Sequence, residues 1–404
     1  MRVVLNLRAE SPVAFRTGRD AGRAETLPYI PCSALLGGLA AAHTILYPHK
    51  TEQFGEFFVR GRVRYGDAYP ASFPPVQRAL QDETSPVRPL PLTARSCKRW
   101  PGFRFQRDAD HEYHGVFDHL LPWALFALSG ERAIGPLERV ATCPECNTSL
   151  DTFRGFYRRA ATDGAIGSSA LDTTLLTRTG ISRTTGTAHA GILYSREAVP
   201  EGATFWAELT MPDKLFDKFR DFADEAGGEG LLRVGTNRTR GLGRLAVVSC
   251  RQSKEADTTA VVAARVRAWK ELLKQAAEEA SVTLPPGWYV PITLASDALV
   301  LDPLLRWRLQ LDGSVLADSG VTGATLVYHT ASVRRVTGWN GLWGLPREDA
   351  LAIGMGSVFV VRFEQEPDFG ALLRLQEEGI GERKAEGFGR VTVADPFHRE
   401  VQNA

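Results

Sequence analysis

The feature that most constrains this chain is a glycine pattern that occurs twice. Gly235, Gly241, Gly243 and Arg244 recur as Gly381, Gly387, Gly389 and Arg390, at a single offset of 146 residues. Arg238 falls opposite Lys384, and Leu245 opposite Val391. Glycine permits positive φ and close approach of another backbone, so a fixed glycine spacing prescribes a loop conformation. Each copy follows a strand and a helix and precedes another strand. Before the first, Phe205, Ala207 and Leu209 alternate, and Leu215, Phe216, Phe219 and Phe222 share one side of a helix over 212–226. Before the second, 357–363 reads as a strand and 367–378 as a helix. One glycine loop is weak evidence, because helices often stop at glycine. Two copies in matching contexts, within 404 residues, imply two related domains and not a solenoid.

The same reading fills in the rest of each unit. Residues 2–9 alternate as a strand, 31–47 place Leu35, Leu36, Leu39 and Leu46 at helical spacing behind Pro31, and 59–65 alternate again. With 204–210, 212–226 and 245–249 they complete a β-α-β-β-α-β unit, the split βαβ arrangement. The expected fold class is α+β, two ferredoxin-like (RRM-like) domains. The first spans 1–252, with an insertion at about 69–176; 253–286 forms a helical linker, and the second domain spans 287–404. Strands near 292, 326 and 357 are visible in the second domain, but its first helix is not. Inside the insertion prolines crowd 70–91, a short helix is expected near 119–129, and the rest is patternless. So long a loop needs a fastening.

The net charge is +1, so any basic surface must be local. Eight of the 48 basic residues are lysine and forty are arginine. Arginine suits bidentate phosphate contact and stacking; a GC-rich genome accounts for the same skew. Five cysteines in this length make no disulfide framework. The first residues alternate with no apolar signal core, and no apolar run is long enough to span a bilayer. A cytoplasmic, reducing setting is expected.

Ile30-Pro31-Cys32-Ser33-Ala34-Leu35-Leu36-Gly37-Gly38-Leu39 resembles the Pro-x-Ser-x-Leu-x-Gly stretch that opens the first helix of CRISPR-associated RAMP proteins. Gly381 to Arg390 resembles their C-terminal glycine-rich loop. The chain departs from that pattern in carrying Cys32 where glycine is common. The two-domain form, the cysteine-bearing insertion and the segment Arg178 to Tyr194 are most similar to the subunit of type III-D effector complexes that caps the 5′ end of the crRNA. The resemblance implies a non-catalytic RNA-binding role in antiviral defence. Its implied partners are crRNA, other RAMP subunits and the large subunit of a type III effector complex, with no membrane.

On that reading the loops are the RNA sites. Gly235, Asn237, Arg238, Arg240, Gly241, Gly243 and Arg244 form one, and Gly381, Arg383, Lys384, Gly387, Gly389 and Arg390 the other, with glycine-freed N–H groups and cations facing phosphates. Phe388 fits either base stacking or the core. The helix start at Ser33 offers N–H groups to another phosphate. Residues 178–194, rich in Thr and Gly with Arg178, Arg183 and His189, form a hairpin able to reach over RNA. Trp339, Leu342 and Trp343 form an apolar loop. Neither glycine loop carries the Gly-Lys-Ser/Thr of a nucleotide-binding P-loop, and no RNP aromatic pair is present.

Cys143-Pro-Glu-Cys146 has the spacing that brings two thiolates to one zinc. Cys97 precedes it in the insertion, with His111, His114 and His119 between them. A Cys3His site of Cys97, His114, Cys143 and Cys146, with structural Zn2+ as cofactor, would fasten the insertion; a redox pair or buried thiols are the alternatives. Cys32 and Cys250 fall in regular elements. His43 lies on the first helix, where repeat-processing endoribonucleases of the same superfamily can place a general base. No partner for it is evident, and no catalytic carboxylate pair or triad stands out.

Overall fold

Alternation sends Val3, Leu5 and Leu7 to one face of strand β1 (Arg2–Ala9), where all three are buried. The computed structural model describes residues 1–15, 25–72, 85–104, 112–130, 142–160, 165–169, 171–253, 257–340 and 344–401. The chain forms two compact units, the first comprising Met1–Ser72, Ala170–Ser253 and Thr337–Glu348.

In the first unit β1 leads to α1 (Cys32–Leu46), β2 (Arg64–Pro70), a hairpin of β3 (Thr174–Ile181) and β4 (Ala188–Ala198), then β5 (Thr204–Thr210), α2 (Asp213–Gly228) and β6 (Leu245–Gln252). The sheet order is β6-β1-β5-β2, with every neighbouring pair antiparallel. That is the split βαβ order, interrupted by the insertion and the hairpin. Leu35 and Leu39 of α1 and Phe219 and Phe222 of α2 pack on Leu5, Leu7, Phe205 and Leu209 of the sheet. The strand expected over 59–65 begins instead at Arg64, and Gly55–Val59 is a helical turn. Helical spacing lets Phe54, Phe57 and Phe58 all reach His43, and this aromatic cluster overrides the local alternation.

The second unit repeats the plan. After α3 (Thr259–Glu279) come β7 (Trp288–Leu294), α4 (Gly313–Asp318), β8 (Thr325–Thr330), β9 (Val358–Phe363), α5 (Phe369–Glu378) and β10 (Val391–Val393). The sheet order is β8-β9-β7-β10, the same order read from the other edge. Six-residue α4 stands where a first helix belongs. It is too short for periodicity to reveal, and Asp312 caps it by accepting from the N–H groups of Ser314 and Val315. Val290, Ile292, Phe359 and Val361 face Leu372 and Leu375 of α5.

The other face of this sheet is covered as well. Tyr289, Val358 and Val360 pack against Trp269 and Leu273 of α3 and against Leu120, Ala124 and Leu125 of the insertion helix Leu120–Leu128. The face an RRM uses for RNA is therefore buried here. α3, read as a connector, is built into this unit's core. So is the insertion, which interrupts the first βαββαβ series in sequence. Leu90, Ala94, Phe103, Val116, Tyr157 and Ile166 share a cluster with Phe397 and Val401. The insertion, patternless in sequence, is thus fastened by this core. Buried His398 adds a polar tie, with Nδ1 2.8 Å from Asp118 Oδ2 and Nε2 2.8 Å from Thr293 Oγ1.

Candidate nucleic-acid interface and metal centre

The two glycine loops share one backbone conformation, position by position. φ is +76° at Gly235 and +70° at Gly381, +83° at Gly241 and +85° at Gly387, +85° at Gly243 and +75° at Gly389. The left-handed non-glycine residue falls at Asn237 in one and Arg383 in the other, and each opens a 3-10 turn, Arg238–Arg240 and Lys384–Glu386. The hydrogen bonds match too. Val234 N–H donates to Gly243 O at 2.8 Å, and Ile380 N–H to Gly389 O at 2.9 Å. Thr236 N–H reaches Ala14 O at 2.9 Å, and Glu382 N–H reaches Leu299 O at 2.7 Å. Ser11 Oγ accepts from Arg244 N–H, and Ser296 Oγ from Arg390 N–H, each at 2.9 Å.

The glycines are required by this packing. A Cβ at Gly243 would overlap the Val234 carbonyl oxygen, and one at Gly389 the Ile380 carbonyl oxygen. Much of the loop backbone is thus bonded internally. The N–H groups at the start of each 3-10 turn, at Asn237–Thr239 and Arg383–Ala385, make no hydrogen bond among the described residues, as at any helix start.

The side chains differ between the copies. In the first, exposed Arg240 donates through Nη1 to Tyr194 Oη at 3.1 Å, and Arg178 donates to Arg240 O at 3.4 Å. Arg178 and Tyr194 are cross-strand partners on the hairpin, so β3 and β4 lean on the loop. Arg196 fastens a second point, donating to Thr236 Oγ1 at 2.7 Å. Exposed Arg233 lies beside the loop, 3.5 Å from Arg238 O. Arg244 pairs with Glu10 at 2.8 Å. Arg178, Arg238 and Arg240 pair with no carboxylate among the described residues.

In the second copy Arg383 is turned back onto its own loop. Arg383 pairs with Glu386 at 2.7 Å and lies 4.8 Å over the Phe388 ring. Lys384 Nζ donates to Gly379 O at 3.3 Å. Phe388 is half-buried against Leu299, Ala350 and Ala352, which is the core role. Gly387 and Gly389 are buried and Arg390 is half-buried.

Of the other candidates, Ser33 is exposed in the first turn of α1, but the Asp67 carboxylate already accepts from Cys32 N–H at 2.7 Å. Arg183 is exposed in the turn of the hairpin. The side chains of His189 and Trp339 lie outside what is described, as do residues 341–343, which include Leu342 and Trp343. Arg196, Arg233 and Tyr194 were not singled out from the sequence. Their signal was tertiary, apart from an arginine or tyrosine on the hairpin face that carries Arg178.

The metal candidates converge. One ligand atom each from Cys97, His114, Cys143 and Cys146 lies within 4.8 Å of the others. Cys97 Sγ is 3.5 Å from Cys146 Sγ, and Cys143 Sγ is 3.3 Å from His114 Nδ1. A tetrahedral Zn2+ with ordinary Zn–S and Zn–N bonds separates its ligands by about 3.6–3.8 Å, so the donors fit. Cys97 ends strand Ala94–Cys97, which pairs with Val116–Asp118 and Leu150–Thr152. The Cys143–Cys146 turn is closed by Asn147 at φ 57°, whose N–H donates to Cys143 O at 2.8 Å. Hydrogen bonds to Thr148 bring the Cys146 thiol down to about 6, whereas burial raises that of Cys97. His111 lies outside the described residues. His119 is elsewhere, preceding the helix Leu120–Leu128 against Trp123, and burial lowers it to about 4.

Cys32 and Cys250 are buried in the first unit's core. His43 is 1% exposed, ringed by Tyr47, Phe54, Phe57, Phe58 and Phe222. Its Nε2 meets Gln53 Oε1 at 3.2 Å, and burial lowers its pKa.

Fold and loop together define a class: duplicated split-βαβ proteins with a glycine-rich loop before the last strand of each unit. Residues 6–246 match the family model of the RAMP superfamily. That is more than half of the chain, and the protein belongs to the RAMP superfamily. The resemblance read from the residues is borne out at that level. Among solved structures, a chain of "Cryo-EM structure of the Type III-B Cmr-beta bound to cognate target RNA and AMPPnP, state 1" is 11% identical at a TM-score of 0.43, covering 89% of this chain and 86% of its own. Cas6 of Thermus thermophilus is 10% identical at 0.38, covering 97% of each. No curated protein matches. Among the described residues no helix is long and apolar enough to cross a membrane.

Proposed function

We propose that the protein is a non-catalytic RNA-binding subunit of a type III CRISPR effector ribonucleoprotein, seating the 5′ repeat-derived tag of the crRNA and capping the complex. Its partners on this reading are crRNA, other RAMP subunits and the large subunit. The observation that carries it is the first glycine loop with its hairpin. Arg238 and Arg240 lie in a 3-10 turn that Arg178 reaches, Arg178 and Arg240 donate to uncharged acceptors, and none of the three pairs with a carboxylate among the described residues, so their charge remains available to phosphates. The second loop uses Arg383 on its own Glu386 and Phe388 and Lys384 on Gly379 O, and on this reading it is chiefly a structural copy. Cys97, His114, Cys143 and Cys146 would hold a structural Zn2+, which supplies cross-linking of three strand ends and no chemistry on RNA.

The competing reading is a repeat-cleaving endoribonuclease with His43 as general base, a role that superfamily membership allows. A general base must reach the proton it takes, and His43 is enclosed by aromatic rings. The test is incubation of the purified protein with labelled repeat RNA without added metal. Binding with no cleavage is expected. Cleavage that His43→Ala abolishes overturns the proposal.

A further inference from the structure

The metal candidates have a second layer of contacts, which the motif alone does not reveal. His114 presents Nδ1 to Cys143 Sγ at 3.3 Å. The same ring turns Nε2 toward Glu145 Oε2, 3.7 Å away. The other oxygen of that carboxylate, Oε1, lies 2.7 Å from Arg104 Nη2. Arg104 also donates through Nε to the backbone oxygen of His114 at 3.4 Å. One guanidinium thus holds both the main chain of the histidine and the carboxylate that faces its ring.

We propose that Glu145 and Arg104 are positioning residues for the metal centre, fixing His114 as an Nδ1 ligand with its proton on Nε2. This rests on the metal reading of the four ligands. A neutral imidazole bound through one nitrogen carries its proton on the other, and an acceptor facing that proton fixes tautomer and ring orientation. Glu145 is that acceptor. At 3.7 Å the contact is longer than a full hydrogen bond, and the half-exposed Glu145 side chain closes it by rotation once the Nε2 proton is fixed. Three thiolates and a neutral imidazole leave a zinc site at net charge −1, and an adjacent carboxylate would add to that. Arg104 offsets it. The place of Glu145 in Cys143-Pro-Glu-Cys146 is then explained: the residue before the last cysteine projects from the ligand turn onto the histidine.

The test is zinc retention by the full chain, measured by competition with a chromophoric chelator after metal analysis. Glu145→Gln keeps shape and removes the charge; Arg104→Gln is the second variant, on a side chain that is 39% exposed. Both are expected to release zinc roughly 10- to 100-fold more readily, with thermal unfolding of the zinc-loaded proteins little changed. Long-range 15N NMR of the wild type is expected to show His114 metal-bound at Nδ1 and protonated at Nε2. No zinc in the wild type defeats the metal reading itself. Zinc bound normally, with both variants releasing it at the wild-type rate or with His114 bound through Nε2, defeats this inference alone.

Discussion

Replacing Arg178, Arg238 and Arg240 together by alanine separates the two glycine loops as RNA contacts. None of the three is held by a carboxylate among the described residues, and Arg240 and Arg178 donate only to Tyr194 Oη and Arg240 O. Their removal breaks no ion pair, so the fold should persist. Each cation that neutralises a phosphate of a single strand steepens the salt dependence by about 0.7 in log–log slope. Three contacts correspond to a slope of about 2. Between 50 and 200 mM salt the wild type should then lose about 20-fold more affinity than the variant. The control is Arg383→Ala. Arg383 is engaged by the Glu386 carboxylate and Phe388, so its slope should stay near the wild-type value. Fluorescence anisotropy with a labelled repeat-derived RNA, over a salt series, reads both. Equal slopes for the triple variant and the wild type refute the assignment; so does a control that flattens as much as the triple variant.

Other expectations follow from the same geometry. Gly241→Ala meets open space and only the strain of φ +83°, about 1 kcal/mol, whereas Gly243→Ala also overlaps the Val234 carbonyl and should cost at least ~2 kcal/mol more in urea unfolding. His119 has its pKa lowered to about 4 by burial, so its neutral form belongs to the fold. Its contribution is complete above pH 6.5 and is lost as pH falls toward 4, a change of about 3 kcal/mol that His119→Gln should remove from the pH–stability profile. Removing the imidazole in His398→Ala leaves Asp118 buried without its ring partner and should destabilise the chain by about 3 kcal/mol in thermal unfolding. Cys143→Ser, or chelation, should release the metal and open residues 97–150 to protease, while α2 and β6 keep their amide protection.

The sheets were legible because their signals are local. Alternation marks β1 and β5, and helical spacing marks α1 and α2, each within a few residues of its observed bounds. The 146-residue glycine repeat was legible because positive φ admits few residue types, and the three repeated glycines proved to carry the same positive φ. What stayed hidden was decided by distant partners. The 59–65 alternation yielded to an aromatic cluster built from α1 and α2. The insertion reads as patternless because part of the core it joins, Phe397 and Val401, lies at the other end of the chain. Of the metal candidates, Cys143 and Cys146 were legible from spacing, and Cys97 and His114, one of three histidines, from their place in the insertion; Glu145 and Arg104 were not, since their meaning depends on which way the His114 ring faces.

The duplicated loop shows why such a motif does not by itself identify a binding site. Gly243 and Gly389 are fixed by the Val234 and Ile380 carbonyls they approach, a demand that holds whether or not RNA is present. Conformation is therefore common to both loops, and the difference between them must lie in side chains. Where the first places Asn237 in the left-handed position, the second places Arg383, whose side chain folds back onto Glu386 and Phe388. Where the first ends its turn with Arg240, reaching Tyr194 of the hairpin, the second ends it with Glu386 itself. At that point in its chain order, between β8 and β9, the second unit has its own short antiparallel pair, Val333–Val336 with Ala350–Ile353, and Ala350 and Ala352 pack on Phe388. One scaffold thus carries an open cationic surface in the first unit and a closed, self-neutralised one in the second. Exchanging Arg383 for Asn and Glu386 for Arg tests that division. If side chains alone separate the copies, this double change should steepen the salt dependence of RNA binding; an unchanged slope would mean that the hairpin, and not the loop, makes the first site.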